Sequence, residues 1–261
     1  MNEKLLVTGM SGLIGTALRN ELDSDVESVY LLSALNRRVV PGIPTTQADL
    51  ADFDAMCIAF EGIDTVVHLA AVIHDGVGWE SLLATNVVGT RNVFEAARKA
   101  GVKRVIFTSS GATVAGWEKV EPYSSLVSGR YEQVPDELPL INESMATRPA
   151  NMYASTKVWG ESIARHYADN HGLEVISLRI GFANQADKPE NPRQMSVWNS
   201  HRDVVQAIIL SIKHQMTERY ECFFILSDNQ YGYRDLSRAR SILGFTPFDS
   251  ADNSADSSAD S

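Results

Sequence analysis

Short apolar runs and amphipathic segments alternate along the first two thirds of this chain. "KLLVT" (Lys4–Thr8) is an apolar run that stops at Gly9, and "GLIGTALRNEL" behind it spaces Leu13, Ile14, Ala17, Leu18 and Leu22 for one face of a helix. "SVYLLS", "DTVVHLA", "KRVIFTSS" and "LEVISLRIG" repeat the first pattern. "ESLLATNVVGTRNVFEAARKAG" and "NMYASTKVWGESIARHYADNHG" repeat the second, the latter with Gly172 as its C-terminal stop. Strands that are apolar nearly throughout and separated by helices predict a parallel sheet covered on both faces, the doubly wound α/β arrangement. From about Phe182 the alternation breaks up. "ANQADKPENPRQ" reads as a loop, "HRDVVQAIILSIKH" as a helix, "CFFIL" as a strand and "YRDLSRARSILG" as a last short helix. The expected organisation is a main domain over residues 1–181, a small lobe over 182–249 packed on it, and a disordered acidic tail over 250–261, where Ser, Ala and Asp repeat with nothing to bury.

Composition narrows the picture. The 261 residues carry 44% apolar and 21% charged side chains, ordinary globular proportions, and a formal net charge of −10. That acidity argues against nucleic acid or an anionic membrane surface as the main partner. Cys57 and Cys222 are the only cysteines and both fall in apolar stretches, so they are expected to be buried free thiols. "MNEKLLVTG" has no apolar segment of secretory type, and no run of about 18 apolar residues occurs, so a cytoplasmic protein is expected. The six histidines lack paired spacing and the cysteines are isolated, so no metal site is expected.

The first strand runs straight into "TGMSGLIG". Glycines at 9, 12 and 15, with Ser11, Leu13 and Ile14 between them, give a strand-to-helix turn whose backbone N–H groups can approach a pyrophosphate at a helix N-terminus. This is the dinucleotide-binding turn of a Rossmann-like sheet, although Ser11 stands where G-x-G-x-x-G would have glycine. At the end of the second strand Asn36 is neutral, and Arg37 and Arg38 can pair with a 2′-phosphate. NADP is therefore favoured, with NAD possible. Asp49 either touches an adenine or caps a helix.

Tyr153 and Lys157 stand four apart on a helix and share a face. A neighbouring ammonium favours the phenolate, which can then take a proton from a substrate hydroxyl as hydride leaves the carbon. Ser110 lies upstream at the carboxyl end of a strand, where doubly wound proteins place ligands. No Gly-x-Ser-x-Gly elbow is present, against a serine hydrolase.

With these residues in this order, the chain from Lys4 to Asp249 resembles the extended short-chain dehydrogenase/reductase superfamily, also called the NAD-dependent epimerase/dehydratase family. "HLAA" from His68, "NVVGTRNV" from Asn86, "LRIG" from Leu178 and "SHRDVVQAI" from Ser200 support the likeness. The resemblance implies that Lys157 also binds the nicotinamide ribose, that Asn86 braces the site, and that Leu50, Leu69, Ala70, Ala71 and Ile180 belong to the cofactor site. It implies Ser110 rather than Ser109 as the reactive hydroxyl. The late segments look most like the uronate dehydrogenase branch, so Arg193 is the implied clamp for a substrate carboxylate, and Gly111 stands where that branch tends to have Asn. His74 and Trp79 either line a sugar pocket or are packing or surface groups. The segment 117–144 is longer than in that branch and is either a lid or a surface elaboration. The resulting expectation is an NADP-preferring sugar or sugar-acid dehydrogenase, a homodimer through its two long helices. The alternatives are a sugar-nucleotide epimerase or dehydratase that retains its cofactor, and a non-catalytic dinucleotide sensor.

Overall fold

The computed structural model describes residues 3–24 and 30–252. In chain order the strands and helices are β1 (Glu3–Thr8), α1 (Leu13–Ser24), β2 (Tyr30–Asn36), β3 (Thr45–Gln47), α2 (Phe53–Cys57), β4 (Thr65–His68), α3 (Trp79–Leu82), α4 (Thr90–Ala100) and β5 (Arg104–Ser110). There follow α5 (Tyr123–Val127), α6 (Met152–His171), β6 (Glu174–Ile180), α7 (Pro192–Val197), α8 (His201–Lys213) and β7 (Tyr220–Ile225). The strands form one seven-stranded sheet in the order β3-β2-β1-β4-β5-β6-β7, the doubly wound α/β fold. Register runs parallel from Leu5↔Thr65 to Thr8↔His68 between β1 and β4, and from Thr65↔Arg104 to His68↔Phe107 between β4 and β5. The carboxyl ends of these central strands therefore lie side by side, where β1 gives way to Gly9.

Two compact units share the chain. One draws on the chain up to Ser109, on Asn151–Ser177 and on Ile212–Glu221; the other on Ser110–Ala150, Leu178–Ser211 and the chain from Cys222. The core of the first gathers Leu6, Val66, Val105 and Phe107 from the strands with Phe60, Phe94 and Tyr167 from the helical layer. The core of the second gathers Tyr123, Leu126 and Ile141 with Val197, Phe224 and Tyr233. Segment 117–144 thus supplies core side chains and is more than a surface elaboration. The Tyr123 hydroxyl closes part of it by donating to the Pro139 carbonyl at 2.9 Å.

Several expectations need correction. The helix predicted over residues 80–101 contains a widened π turn at Leu83–Gly89 between α3 and α4. "YRDLSRARSILG" is wound only from Ser237, with Ala239–Leu243 forming a second π turn, while Arg234 ahead of it pairs in a bridge with Ile141. Cys57 and Cys222 are only partly buried. The acidic end does not start disordered: Asp249 takes two bonds from Arg202, at 3.1 and 2.6 Å, and Ala251 is fully buried with its N–H on the Asn229 side chain. The rest of the predicted tail, 253–261, lies outside the described residues.

His68, 1% exposed at the end of β4, joins three elements. Its Nδ1 is 2.7 Å from Thr8 Oγ1 on β1, and its Nε2 is 3.2 Å from Thr90 Oγ1 on α4. Burial, reinforced by the charge of Lys157, lowers this imidazole from 6.5 to about 3. Between those pH values the unfolded chain takes up a proton that the folded chain refuses, so stability present above pH 6.5 is lost as the pH falls towards 3. Thermal denaturation followed from neutral to acid pH checks this. The melting temperature of the parent chain is expected to fall more steeply than that of His68→Gln.

Candidate active site

The turn after β1 is built by its glycines. Gly9 has φ +75°, and a Cβ there would lie 2.8 Å from the Ala70 backbone; a Cβ at Gly15 would lie 2.5 Å from the Met10 carbonyl. Gly12 donates to the Gly9 carbonyl at 2.9 Å and begins the twelve-residue helix α1, where Leu13 and Ile14 open the first turn without an acidic side chain. Ser11 and Gly12 are exposed at that positive helix end, so the turn fits the pyrophosphate of a dinucleotide. Leu69 and Ala70 are held against β1, their N–H groups donating to the Thr8 carbonyl and hydroxyl at 3.2 Å each, and half-buried Ala71 follows.

At the end of β2 the Asn36 amide turns inward, donating to Ser11 Oγ at 2.9 Å and to the Arg38 carbonyl at 3.0 Å, while Arg37 and Arg38 stay exposed. Asp49 accepts the Ala51 N–H at 2.9 Å, and the N-cap of α2 is Asp52 instead. Leu50 is buried against Gly89, with its carbonyl held by Asn92 at 2.8 Å.

Tyr153 and Lys157 share a face of α6, as their spacing predicts. The Lys157 side chain is buried, and its Nζ donates to the Thr108 carbonyl at the end of β5 at 2.7 Å. The same nitrogen lies 5.0 Å from the Phe107 ring centre and 6.0 Å from that of Tyr153. Close approach of α6 to β5 depends on Gly160, where a Cβ would come within 2.5 Å of Phe107. Burial pulls the Lys157 ammonium down to about 8, and the Glu161 carboxylate pulls weakly the other way.

The helix is aimed by residues that periodicity does not reveal. Asp75 accepts the Tyr153 N–H at 2.7 Å and the Met152 N–H at 3.2 Å, while Asn151 caps the same helix through Ala154. Asn86, in the π turn, accepts from Val72 N–H and donates to Val72 O, both at 2.8 Å, and donates to Thr156 Oγ1 at 3.0 Å. The segment after β4 is therefore tied twice to α6. His74, within that segment, is exposed, as is Trp79.

The remaining predicted residues lie in the second unit. Ser110 Oγ accepts the Ala112 N–H at 3.1 Å, which leaves its proton free to donate. Ser109, by contrast, is committed to Glu161 at 2.5 Å. Gly111 is buried under the Arg234 guanidinium, whose Nη1 would lie 2.0 Å from a Cβ at position 111. Ile180 ends β6 half-buried. Arg193 is partly exposed and gives two bonds to Glu118, at 2.5 and 2.9 Å. Among the described residues no group of three His, Cys, Asp or Glu side chains could hold a metal, and no helix is long and apolar enough to cross a membrane.

A glycine turn at the carboxyl edge of a doubly wound sheet, with Tyr and Lys on one face of α6, defines a nicotinamide-dependent class of protein. The chain belongs to the NAD dependent epimerase/dehydratase family, whose model matches residues 5–183. It is 31% identical to the NAD-dependent glucose-6-phosphate dehydrogenase of Haloferax volcanii, over 98% of this chain and 96% of that one. It is 29% identical to the L-arabinose 1-dehydrogenase (NAD(P)(+)) of the same organism, over 95% and 97%. The crystal structure of uronate dehydrogenase from Agrobacterium tumefaciens superposes with a TM-score of 0.79 at 29% identity, covering 96% of this chain and 86% of that one.

Lys157→Met tests whether the buried ammonium serves chemistry or folding. Because the burial penalty of the charge leaves with it, denaturant unfolding is expected to show a stability loss of no more than ~1 kcal/mol. Nicotinamide reduction is expected to fall by about 10² or more. A large stability loss would make the lysine structural.

Proposed function

We propose that this chain is an NAD(P)-dependent dehydrogenase that oxidises the anomeric hydroxyl of a sugar or sugar acid. The observation that carries the reading is the buried Lys157 ammonium beside Tyr153 at the end of β5. Tyr153 removes the hydroxyl proton and Lys157 stabilises the phenolate that does so, while the Ser110 hydroxyl serves as a donor to substrate oxygen. When bound, the nicotinamide supplies the hydride acceptor. Lys157 also holds its ribose, the glycine turn its pyrophosphate, and the segment Leu69–Ala71 borders it, with Asn86 keeping that border fixed. Three dehydrogenases among the relatives favour release of reduced cofactor over the epimerase alternative, in which hydride returns to the substrate.

The expected NADP preference finds no support in the relatives, one of which is named NAD-dependent and another NAD(P)-dependent. No acid closes the end of β2 to a 2′-phosphate, and Arg37 and Arg38 are exposed to meet one. The chain is therefore proposed to use NAD and to accept NADP. A cytoplasmic homodimer built on the two long helices completes the reading.

Absorbance of the reduced ring, followed with a panel of aldoses and uronates, tests it. Net reduction is expected, falling by at least about 10² in Tyr153→Phe. Replacing Arg37 and Arg38 together by Ala is expected to lower kcat/KM with NADP by about tenfold or more, with NAD little changed. Absence of net reduction, with hydride returned to an epimerised sugar, would favour the epimerase.

A further inference from the structure

We propose that the substrate is an uncharged aldose, and that Glu118 sets this choice by occupying the guanidinium of Arg193. The inference rests on the dehydrogenase reading above and deepens it.

A connected set of polar side chains leads away from the reactive serine within the second unit. Ser110 is followed by Gly111, whose missing side chain leaves room for Arg234. Arg234, with only 2% of its side chain exposed, stands 3.8 Å from Glu118 Oε1. Glu118 in turn takes Nε and Nη2 of Arg193 on its two oxygens, at 2.5 and 2.9 Å. Of the charged groups here, Arg193 has the most exposed side chain, at 40%, against 10% for Glu118. Arg193 is thus the member of this set most open to a ligand, and it is already paired.

The pairing is fixed from behind. Glu118 Oε1 also accepts the hydroxyl of fully buried Tyr233 at 2.6 Å. Burial, with the Glu118 charge and hydrogen bond, pushes that phenol above its ordinary range, so it stays a donor. Arg234 donates to the same phenol oxygen at 3.2 Å and lies 5.2 Å from the Tyr233 ring and 6.0 Å from that of Phe224. Its Nε has no hydrogen-bond partner, but the group is enclosed by the chain. Rotating Glu118 away would break four contacts, leaving the buried Tyr233 hydroxyl without its acceptor and the buried Arg234 guanidinium without its counter-charge.

A substrate carboxylate seeking Arg193 would have to share one guanidinium with a carboxylate that cannot leave, and like charges so placed disfavour binding. An alcohol meets no such penalty. The pair presents N–H donors next to carboxylate oxygen, and a sugar hydroxyl can both donate and accept. The resemblance to uronate dehydrogenases implied that Arg193 grips a substrate carboxylate; here its fork already holds one that the chain supplies.

The test measures kcat/KM with NAD for sets that differ only in charge: glucose against glucuronate and glucose 6-phosphate, galactose against galacturonate, with arabinose alongside. The neutral sugar is expected to exceed its uronate by about tenfold or more. Glu118→Gln is expected to shrink that ratio by about tenfold through a gain on uronates. Arg193→Gln is expected to leave the parent's ratio standing and keeps the test decisive should Glu118→Gln fail to fold. A parent enzyme that prefers the uronate or the phosphate, an unchanged ratio in folded Glu118→Gln, or a selective loss of uronate turnover in Arg193→Gln would each overturn the proposal while leaving the dehydrogenase intact. No reduction with any sugar would overturn both.

Discussion

One hydrogen bond orders this molecule's chemistry: the Lys157 ammonium, buried, donating to the Thr108 carbonyl at the end of β5. A buried ammonium without a partner would give up its proton or its burial. The carbonyl, the faces of Phe107 and Tyr153, and the Glu161 carboxylate together let it stay. Glu161 is itself held by Ser109, so the strand end supplies both the acceptor for the lysine and the donor for its counter-charge. Gly160 lets helix and strand come close enough for this to happen. The face of α6 carrying Tyr153 is thereby set against the carboxyl end of the sheet.

Much of this was readable in advance because it is local. The apolar runs of β1, β4 and β5 and the helical spacing of α1 and α6 reflect burial periods that hold wherever the neighbours lie. The Gly9–Gly15 turn is readable because only glycine tolerates its backbone shape and close approaches. Tyr153 and Lys157 meet because i and i+4 always meet on a helix.

What escaped the sequence depends on partners far apart along the chain. Asp75 caps α6 from 78 residues away, and Glu118 reaches Arg193 across 75. A carboxylate in a loop gives no sign of which N–H group it will find. The joining of residues 110–150 to 178–211 was equally hidden, since Tyr123, Leu126 and Ile141 are too sparsely spaced to show a period. Residues 249–252 read as tail because their composition is polar. Their anchorage comes instead from an ion pair with Arg202 and main-chain bonds such as Asp228 N–H to the Asp249 carbonyl, which composition does not encode.

Lys157 keeps its charge while buried at the sheet end, and its own titration reads this out. Following the side-chain carbon next to Nζ by NMR across alkaline pH, with Lys157→Met to assign the signal, is expected to give a midpoint of about 8. A midpoint at the ordinary lysine value of 10.5 would mean the ammonium is solvated and would contradict the account.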